Sequence, residues 1–310
     1  MEAQSPFSSE LPSLQLAWDS VSRGALKKCL RYYKLFIIEG YRPKNTINTL
    51  GPLQFGIMTH SALETYDKAR FRGADHTQAQ REAVRRALTD SHGYAVVEKD
   101  PNLRTRPNLV RLVVWYTDHF KDDAAKTLEL GDKPAVELSF RMALPFQAIT
   151  GETFLHTGHI DKVVDFAGGW WVLDRKHTKS VLSGAYFAKY NPDDQMSGYD
   201  IAGKVVLQRP IKGIIIDAIQ VGVNFNRFVR GFSPRTDESR DEWLKDLKYW
   251  LDQATYAATS GHYPMNDKAC DVYGGCTFRE VCKQSPLVRE IMLKENFIVD
   301  KWNPLKNREE

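Results

Sequence analysis

Two short apolar segments near the middle of the chain end in charged side chains that could bind a divalent cation or a phosphate. Asp161 follows Gly158-His159-Ile160, and Asp174-Arg175-Lys176 follows Val172-Leu173. Alternate side chains of a strand share a face, so Asp174 and Lys176 point to one side and Arg175 to the other. A solvated surface pair is the alternative interpretation, but the run Gly169-Trp170-Trp171-Val172-Leu173 is apolar enough to be buried.

The glycine-rich stretch between the two segments predicts a hairpin. A two-residue turn at Ala167-Gly168 would place Asp161 opposite Asp174, whereas a turn at Gly168-Gly169 would place it opposite Lys176. Both registers put the two carboxylates and the ammonium on one face. Opposed Cβ atoms lie roughly 5 Å apart, which is close enough for two carboxylates to share a divalent cation.

These residues resemble the PD-(D/E)xK nuclease superfamily, and specifically its RecB-like exonuclease branch. Gly158-His159-Ile160-Asp161 is similar to its first acidic motif, Asp174-Arg175-Lys176 to its second, and Gln195-Met196-Ser197-Gly198-Tyr199 to its Gln-xxx-Tyr motif. The resemblance implies that Asp161 and Asp174 bind Mg²⁺ or Mn²⁺ and that Lys176 acts on the nucleophile or on developing charge. It also implies that Gln195 and Tyr199 orient the substrate strand.

Three further groups enter through the same resemblance. Gly56, His60 and Leu63-Glu64 are similar to the N-terminal histidine motif of RecB-like nucleases, which implies that His60 is a metal ligand. Glu137 matches the acidic residue that precedes the Gly-xx-Asp motif and is a secondary site residue. The backbone carbonyl of Arg175 is a further candidate ligand. For His60 and Glu137, the alternatives are a packed or surface histidine and an exposed strand carboxylate.

Three of the four cysteines cluster near the C-terminus. Cys270, Cys276 and Cys282 have five residues between neighbours, whereas structural zinc sites favour two to four. A [4Fe-4S] cluster needs four thiolates, and Cys29 is the remaining cysteine. This arrangement resembles the iron-sulfur subgroup of RecB-like nucleases, which includes AddB-type and CRISPR-adaptation exonucleases. That subgroup often has a tighter cysteine pair, so zinc at the four cysteines stays open as the alternative.

Composition narrows the class of protein only a little. The chain has 310 residues, 42% of them hydrophobic and 26% charged, which is ordinary for a globular protein. A net charge of +4 is compatible with a polyanionic partner without requiring one. The N-terminus lacks a basic and then apolar leader pattern, and no window is apolar enough to span a bilayer, so we expect a cytoplasmic protein with no membrane contact. The sequence contains no Gly-xxxx-Gly-Lys-Ser/Thr motif and so does not predict a helicase motor domain.

Hydrophobic periodicity and helix-start signals predict the helices and strands that position these groups. The predicted helices run from Asp19 or Ser20 to Tyr33, Gln54 to Tyr66, Thr77 to His92, Pro107 to Lys121, Asn191 (as N-cap) through Tyr199, and Asp237 to Thr259. The predicted strands are Ala135–Leu144, the hairpin around Gly168, Ile211–Phe225 and Phe228–Phe232, with a tight turn at Asn226-Arg227.

The element order predicts an α/β fold with a central mixed sheet flanked by helices, and the resemblance makes it a PD-(D/E)xK restriction-endonuclease-like fold. We expect one nuclease domain over residues 1–310. Its parts are a helical N-terminal part (14–130), a nuclease core (131–260) and a cysteine-cluster segment (261–310) that closes onto Cys29.

The motifs together predict a metal-dependent DNA exonuclease that acts on single-stranded DNA or DNA ends in recombination, repair or defence. Its protein partners would be of the recombination, repair or CRISPR type. One alternative is a catalytically weak protein of the same fold that binds DNA ends in an assembly. The other is a site-specific endonuclease. Strand polarity and a preference for DNA over RNA do not follow from the sequence.

Overall fold

The computed structural model describes residues 5–44, 50–272 and 275–306. The helices are α1 (Ser20–Lys28), α2 (Leu30–Tyr33), α3 (Pro52–Phe71), α4 (His76–Asp90), α5 (Arg106–His119), α6 (Gly184–Ala188), α7 (Asp194–Leu207), α8 (Asp237–Ser260), α9 (Arg279–Lys283) and α10 (Pro286–Asn296), with a π-helical turn at Lys34–Ile38 and a 3-10 turn at Asp267–Ala269. The strands are β1 (Ala17–Trp18), β2 (Tyr41–Pro43), β3 (Lys126–Thr127), β4 (Glu129–Leu130), β5 (Lys133–Pro134), β6 (Val136–Gln147), β7 (Thr153–Phe166), β8 (Gly169–Thr178), β9 (Ile211–Val221), β10 (Asn226–Ser233) and β11 (Phe297–Val299).

The chain forms two compact units. The first unit comprises residues 1–46, 139–158 and 237–310, and the second comprises 47–138 and 159–236. All the predicted metal and active-site side chains belong to the second unit, and all four cysteines belong to the first. Among the described residues, none of the helices combines the length and the apolar composition that crossing a membrane requires.

A mixed sheet flanked by helices forms the centre of the second unit, as predicted. β7 pairs with β8 in antiparallel orientation, β8 with β9 in parallel, and β9 with β10 in antiparallel orientation. On one face, α3, α4 and α5 form an apolar core with Ile219 and Val221 of β9. On the other face, α7 approaches so closely that a Cβ on Gly203 would lie 3.0 Å from a methyl group of Val172.

The turn between β7 and β8 fixes which side chains face each other. Ala167 and Gly168 both have positive φ angles, 49° and 70°, as a two-residue type I′ hairpin turn requires. Phe166 pairs with Gly169, and the ladder continues to Lys162 opposite Leu173. One further step in this register brings Asp161 opposite Asp174, so the Ala167-Gly168 alternative is confirmed.

One predicted turn and one predicted helix start are wrong. The turn between β9 and β10 does not lie at Asn226-Arg227, because Asn226 already pairs with Val221. Residues 222–225 make the turn instead, and the Phe225 ring covers Gly222 so closely that a Cβ there would lie 2.5 Å from it. Helix α7 begins after Asp193, not after Asn191, because the Asp193 carboxylate accepts a 2.9 Å hydrogen bond from the Met196 N–H.

The helix predicted from residue 19 or 20 to Tyr33 is also interrupted. Asp19 is its N-cap, but Cys29 has an extended backbone (φ −171°, ψ 123°) between α1 and α2. Asn266 stabilises this break, because its side-chain amide donates to the Lys28 carbonyl at 2.9 Å and its N–H donates to the Cys29 Sγ at 3.3 Å. The remaining predicted helices and strands differ from the observed ones mainly at their ends.

Candidate active site

Three potential metal ligands from three different elements of the second unit lie together. One ligand atom each from His60 (α3), Glu137 (β6) and Asp161 (β7) falls within 4.8 Å of the others. Glu137 and Asp161 are 4% and 5% exposed. Two carboxylates and an imidazole are a donor set suited to Mg²⁺ or Mn²⁺, because oxygen ligands dominate and one neutral nitrogen is tolerated. The residues present therefore fit a divalent cation.

Glu137 is held at the site by an unusual backbone conformation. Its φ angle is +52°, in the left-handed region that few residues other than glycine adopt. Such a conformation costs about 1–3 kcal/mol and persists only where the surrounding structure imposes it, as it often does at functional sites. The conformation aims the Glu137 side chain from the start of β6 towards His60 and Asp161.

The Asp161 carboxylate is stabilised in its ionised form. Its Oδ2 accepts a 2.9 Å hydrogen bond from the Arg175 N–H and lies 3.2 Å from His60 Nδ1. Burial alone would raise the pKa of Asp161, but the positive charges of His60 and Lys176 and the Arg175 N–H outweigh it and lower that pKa. Burial tends to lower the pKa of His60, but the charge of Asp161 outweighs burial, so the pKa of His60 is raised.

Asp174, Lys176, Gln195 and Tyr199 form a continuous chain of contacts. Lys176 Nζ lies 2.9 Å from Asp174 Oδ2 and donates to Gln195 Oε1 at 2.9 Å. Gln195 Nε2 in turn donates to the Tyr199 hydroxyl at 2.9 Å. The sequence places Asp174 and Lys176 on β8, and α7 brings Gln195 and Tyr199, which are one helical turn apart, over the same face. The carboxylate of Asp174 faces Lys176 and is not part of the 4.8 Å ligand set.

The two hairpin carboxylates have opposite pKa shifts. Burial raises the pKa of Asp174 to about 6, the charge of Asp161 adds to this effect, and Lys176 opposes it. Burial tends to lower the pKa of Lys176, but Asp174 reverses this and the pKa is raised. A partly buried ammonium beside two carboxylates can stabilise the negative charge that develops on a phosphate during hydrolysis.

Arg175 extends to the opposite face of β8, where it enters a buried ion-pair network that sequence analysis missed. Its guanidinium donates to Asp67 Oδ2 at 2.6 Å and to the Tyr116 hydroxyl at 3.3 Å. Asp67 also accepts from Lys162 at 2.9 Å. Asp67 lies seven residues after His60, two turns along the same helix, so helical spacing was the signal that could have found it. The predicted role of the Arg175 carbonyl as a ligand stays a prediction.

His177 is a second neighbour that sequence analysis missed. Its ring centroid lies 5.3 Å from that of His60. Burial lowers the pKa of His177 well below the usual value, and the positive charge of His60 acts in the same direction. His177 therefore stays neutral and packs against His60. It shares a strand face with Arg175, so the period of two was the available signal.

The four cysteines gather around one small cavity in the first unit. Cys29, Cys270, Cys276 and Cys282 all line it, and all four are free thiols. Asn266 connects two of them, because its N–H donates to the Cys29 Sγ and its carbonyl accepts from the Cys270 Sγ at 3.8 Å. Tyr273 and Gly274, between the second and third cysteines, lie outside the described residues. A cavity with four thiols fits a thiolate-ligated metal group.

Comparison with known proteins places these motifs in a family. No curated protein matches the chain. A solved structure described as "Putative exonuclease" from Eubacterium rectale shares 11% identity with a TM-score of 0.48, and the match covers 94% of this chain and 98% of that one. Another, the protein SSO0001, shares 13% identity with a TM-score of 0.31 over 85% of this chain and 96% of that one.

The family profile described as "PD-(D/E)XK nuclease superfamily" matches residues 20–283, which is most of the chain. This span includes His60, Glu137, the Asp161 and Asp174 hairpin, and the Gln195 to Tyr199 motif. The mixed sheet flanked by helices agrees with the fold of that superfamily, whose members use divalent metal ions. The chain therefore belongs to the PD-(D/E)XK nuclease superfamily, a superfamily of phosphodiester hydrolases.

Proposed function

We propose that this protein is a metal-dependent DNA exonuclease of the RecB-like branch that degrades single-stranded DNA or DNA ends. The observation that carries the proposal is the juxtaposition of two arrangements. His60, Glu137 and Asp161 form a compact ligand set, and the hairpin that supplies Asp161 also presents Asp174 paired with Lys176. A protein that only binds DNA ends has no need for buried carboxylates beside a partly buried ammonium, because desolvating these charges is costly.

Each residue has a distinct part in the proposed reaction. His60, Glu137 and Asp161 would hold a divalent cation, with Asp174 as an additional ligand once it is ionised. The cation supplies Lewis acidity and makes water acidic enough to act as a nucleophile near neutral pH. Lys176 offsets negative charge on the phosphate oxygens, and Gln195 and Tyr199 fix the Lys176 ammonium and contact the substrate strand.

The test is cleavage of DNA substrates that differ in their ends. Anaerobically purified protein is incubated with Mn²⁺ and with end-labelled linear single strands, linear duplexes and covalently closed circles. We expect nucleotide or short-oligonucleotide release from linear DNA only, and none after chelation of the metal. Cleavage of circles would favour the site-specific or nonspecific endonuclease alternative, and binding without turnover would favour the end-binding alternative.

We further propose that the four cysteines hold a [4Fe-4S] cluster, as in the iron-sulfur subgroup that the sequence resembles. All four cysteines line one cavity, and four thiolates are the usual ligands of such a cluster. The five-residue intervals between Cys270, Cys276 and Cys282 are longer than the two to four residues that structural zinc sites favour.

Metal analysis of anaerobically purified protein separates the two possibilities. We expect four iron atoms per chain, acid-labile sulfide and broad visible absorption that fades on exposure to air. One zinc atom per chain in a colourless protein would contradict the iron-sulfur proposal and support the zinc alternative. Either result leaves the proposed nuclease reaction open to its own test, because the cysteines and the ligand set of His60 belong to different units.

A further inference from the structure

A lysine ammonium is held over two buried tyrosine rings in the segment between β8 and α7. Lys189 Nζ lies 3.9 Å from the centroid of the Tyr186 ring and 4.8 Å from that of the Tyr190 ring. Both tyrosines are 7% exposed, whereas Lys189 itself is exposed. The ring faces attract a cation. They therefore restrict the position of an ammonium that remains open to solvent.

The two rings are themselves fixed in place. The hydroxyls of Tyr186 and Tyr190 lie 3.1 Å apart. The Tyr190 carbonyl accepts hydrogen bonds from the Ser233 hydroxyl at 3.0 Å and from Arg235 Nη2 at 2.8 Å. A pre-positioned charge binds a ligand with less loss of side-chain freedom than a mobile surface lysine does. The ammonium of Lys189 is thus placed in advance for a ligand.

A chain of hydrogen bonds links the segment that carries Lys189 to α7, the helix of Gln195 and Tyr199. Arg235, which holds the Tyr190 carbonyl, also donates from Nε to the Ser197 hydroxyl at 3.0 Å, and Ser197 lies on α7 between Gln195 and Tyr199. Burial lowers the pKa of Lys189, and the positive charge of Lys176 lowers it further. The two lysines stand on different elements, and Arg235 and Ser197 link the segments next to them.

The charge of Lys189 has no close counter-ion in the described part of the chain. It forms no ion pair there, and Asp193 attracts it only at longer range. An exposed ammonium without a close counter-ion, on a segment linked to α7, favours an anion as its ligand. The anion that a nuclease binds repeatedly along its substrate is the phosphodiester group.

We propose that Lys189 binds a backbone phosphate of the DNA strand, next to the phosphate that is cleaved. This inference rests on the proposed function. Lys176 lies beside the metal-ligand carboxylates and serves the cleaved phosphate, whereas Lys189 stands on the tyrosine rings and serves its neighbour. Because the contact is the same in the ground state and in the transition state, Lys189 contributes to substrate binding and not to the rate of the chemical step.

The test compares Lys189→Met with three reference proteins. Lys189→Arg keeps the charge. Lys212→Met removes an exposed lysine of the same unit that lies four residues before Ile216, the partner of Asp174, and thus about 13 Å along the sheet. Binding of a single-stranded oligonucleotide is measured against salt concentration without metal, in an Asp174→Asn background that prevents cleavage. KM and kcat are measured with Mn²⁺ in the otherwise native protein.

Loss of one phosphate contact should lower the slope of log Kd against log salt by about 0.7, which corresponds to about fivefold weaker binding at 0.1 M salt. We expect this change, and a matching rise in KM at constant kcat, for Lys189→Met but not for Lys212→Met or Lys189→Arg. An unchanged slope, an equal change in Lys212→Met, or a fall in kcat at constant KM would overturn the inference. If native protein cleaved no DNA, both the proposed function and the inference about Lys189 would fail. If native protein cleaved DNA and Lys189→Met behaved like native protein, only the inference about Lys189 would fail.

Discussion

At the scale of single residues, the hairpin separates the ionisation of two carboxylates that stand opposite each other. Asp161 accepts a hydrogen bond from the Arg175 N–H and lies beside His60, so its pKa is lowered. Asp174 is buried next to that charge, and its pKa is raised to about 6. The metal-free site therefore contains repulsion that a bound divalent cation would remove.

Asp174→Asn should abolish cleavage and, without metal, change how stability depends on pH. The folded-state pKa of about 6 exceeds the usual value of 3.8, so ionised Asp174 lowers the stability of the native protein as pH rises through this window. In chelator, the free energy of unfolding of the Asn variant should rise relative to that of native protein by on the order of 1–3 kcal/mol between about pH 4 and pH 8. Urea unfolding would measure this change. A difference in unfolding free energy that stayed constant with pH would contradict the raised pKa of Asp174.

Lys176→Met should separate metal binding from catalysis. The methionine retains the apolar stem but lacks the ammonium that meets charge developing in the transition state, so kcat should fall by about 10²–10³-fold. Calorimetry should show Mn²⁺ affinity that is retained or slightly increased, because a neighbouring positive charge is removed. Lys212→Met is the matched control and should keep native kcat. Collapse of metal affinity together with the rate would mean that Lys176 supports the ligands instead.

At the scale of elements, strand β8 carries candidate catalytic side chains on one face and a supporting side chain on the other. Asp174 and Lys176 face α7, while Arg175 faces Asp67 of α3 and donates its own N–H to Asp161. A side chain anchored behind the strand thus fixes the peptide that orients Asp161, a candidate metal ligand. Helix α3 contributes twice to this arrangement, because it carries both His60 and Asp67.

Asp67→Asn should be strongly destabilising. It leaves the buried Arg175 and Lys162 without their shared carboxylate, and breaking such a buried pair typically costs about 3–5 kcal/mol. Burial tends to raise the pKa of Asp67, but Lys162 and Arg175 lower it overall, so this stabilisation is present at neutral pH and is lost as pH falls below about 4.

Denaturant unfolding of Asp67→Asn and Glu64→Gln provides a matched comparison on α3. Glu64 forms a partly exposed pair with Lys68 one helical turn away, with side chains 25% and 31% exposed, and its loss should cost only about 0.2–0.5 kcal/mol. The difference in unfolding free energy between native protein and Asp67→Asn should become smaller in acid. Equal effects of the two substitutions at neutral pH would show that the Asp67 network contributes no more than a surface pair.

The sequence predicts those parts of the site that depend on local rules. The period of two put Asp174 and Lys176 on one face, and one of the two turns that the sequence allowed, Ala167-Gly168, gives the observed register. It did not predict the break at Cys29, because the groups that stabilise the extended residue come from Asn266, more than two hundred positions away. The positive φ of Glu137 and the Asp67 network likewise depend on long-range packing that periodicity does not encode.

At the scale of the whole molecule, the two candidate metal centres belong to different units. His60, Glu137 and Asp161 lie in the unit of residues 47–138 and 159–236, whereas the cysteines lie in the other. Within that other unit, Cys29 comes from the N-terminal part and Cys270, Cys276 and Cys282 from the C-terminal part. A shared cluster would join segments that are distant in sequence, so its binding energy would be folding energy for that unit. That residues 1–310 act as one nuclease domain stays a prediction.

Cys29→Ser should therefore lose the metal of the cysteine site and destabilise the protein without altering the chemistry at the other site. Three remaining thiols hold a [4Fe-4S] cluster less tightly, so iron content and visible absorption should fall, and thermal unfolding should begin at a lower temperature. Mn²⁺ affinity at the His60 site should remain native below that temperature, because none of its ligands lies in the same unit as Cys29. Asp174→Asn is the converse control and should keep the iron while it loses cleavage. Native iron content in Cys29→Ser would remove Cys29 from the ligand set, and a matching loss of Mn²⁺ affinity would show that the two centres are coupled.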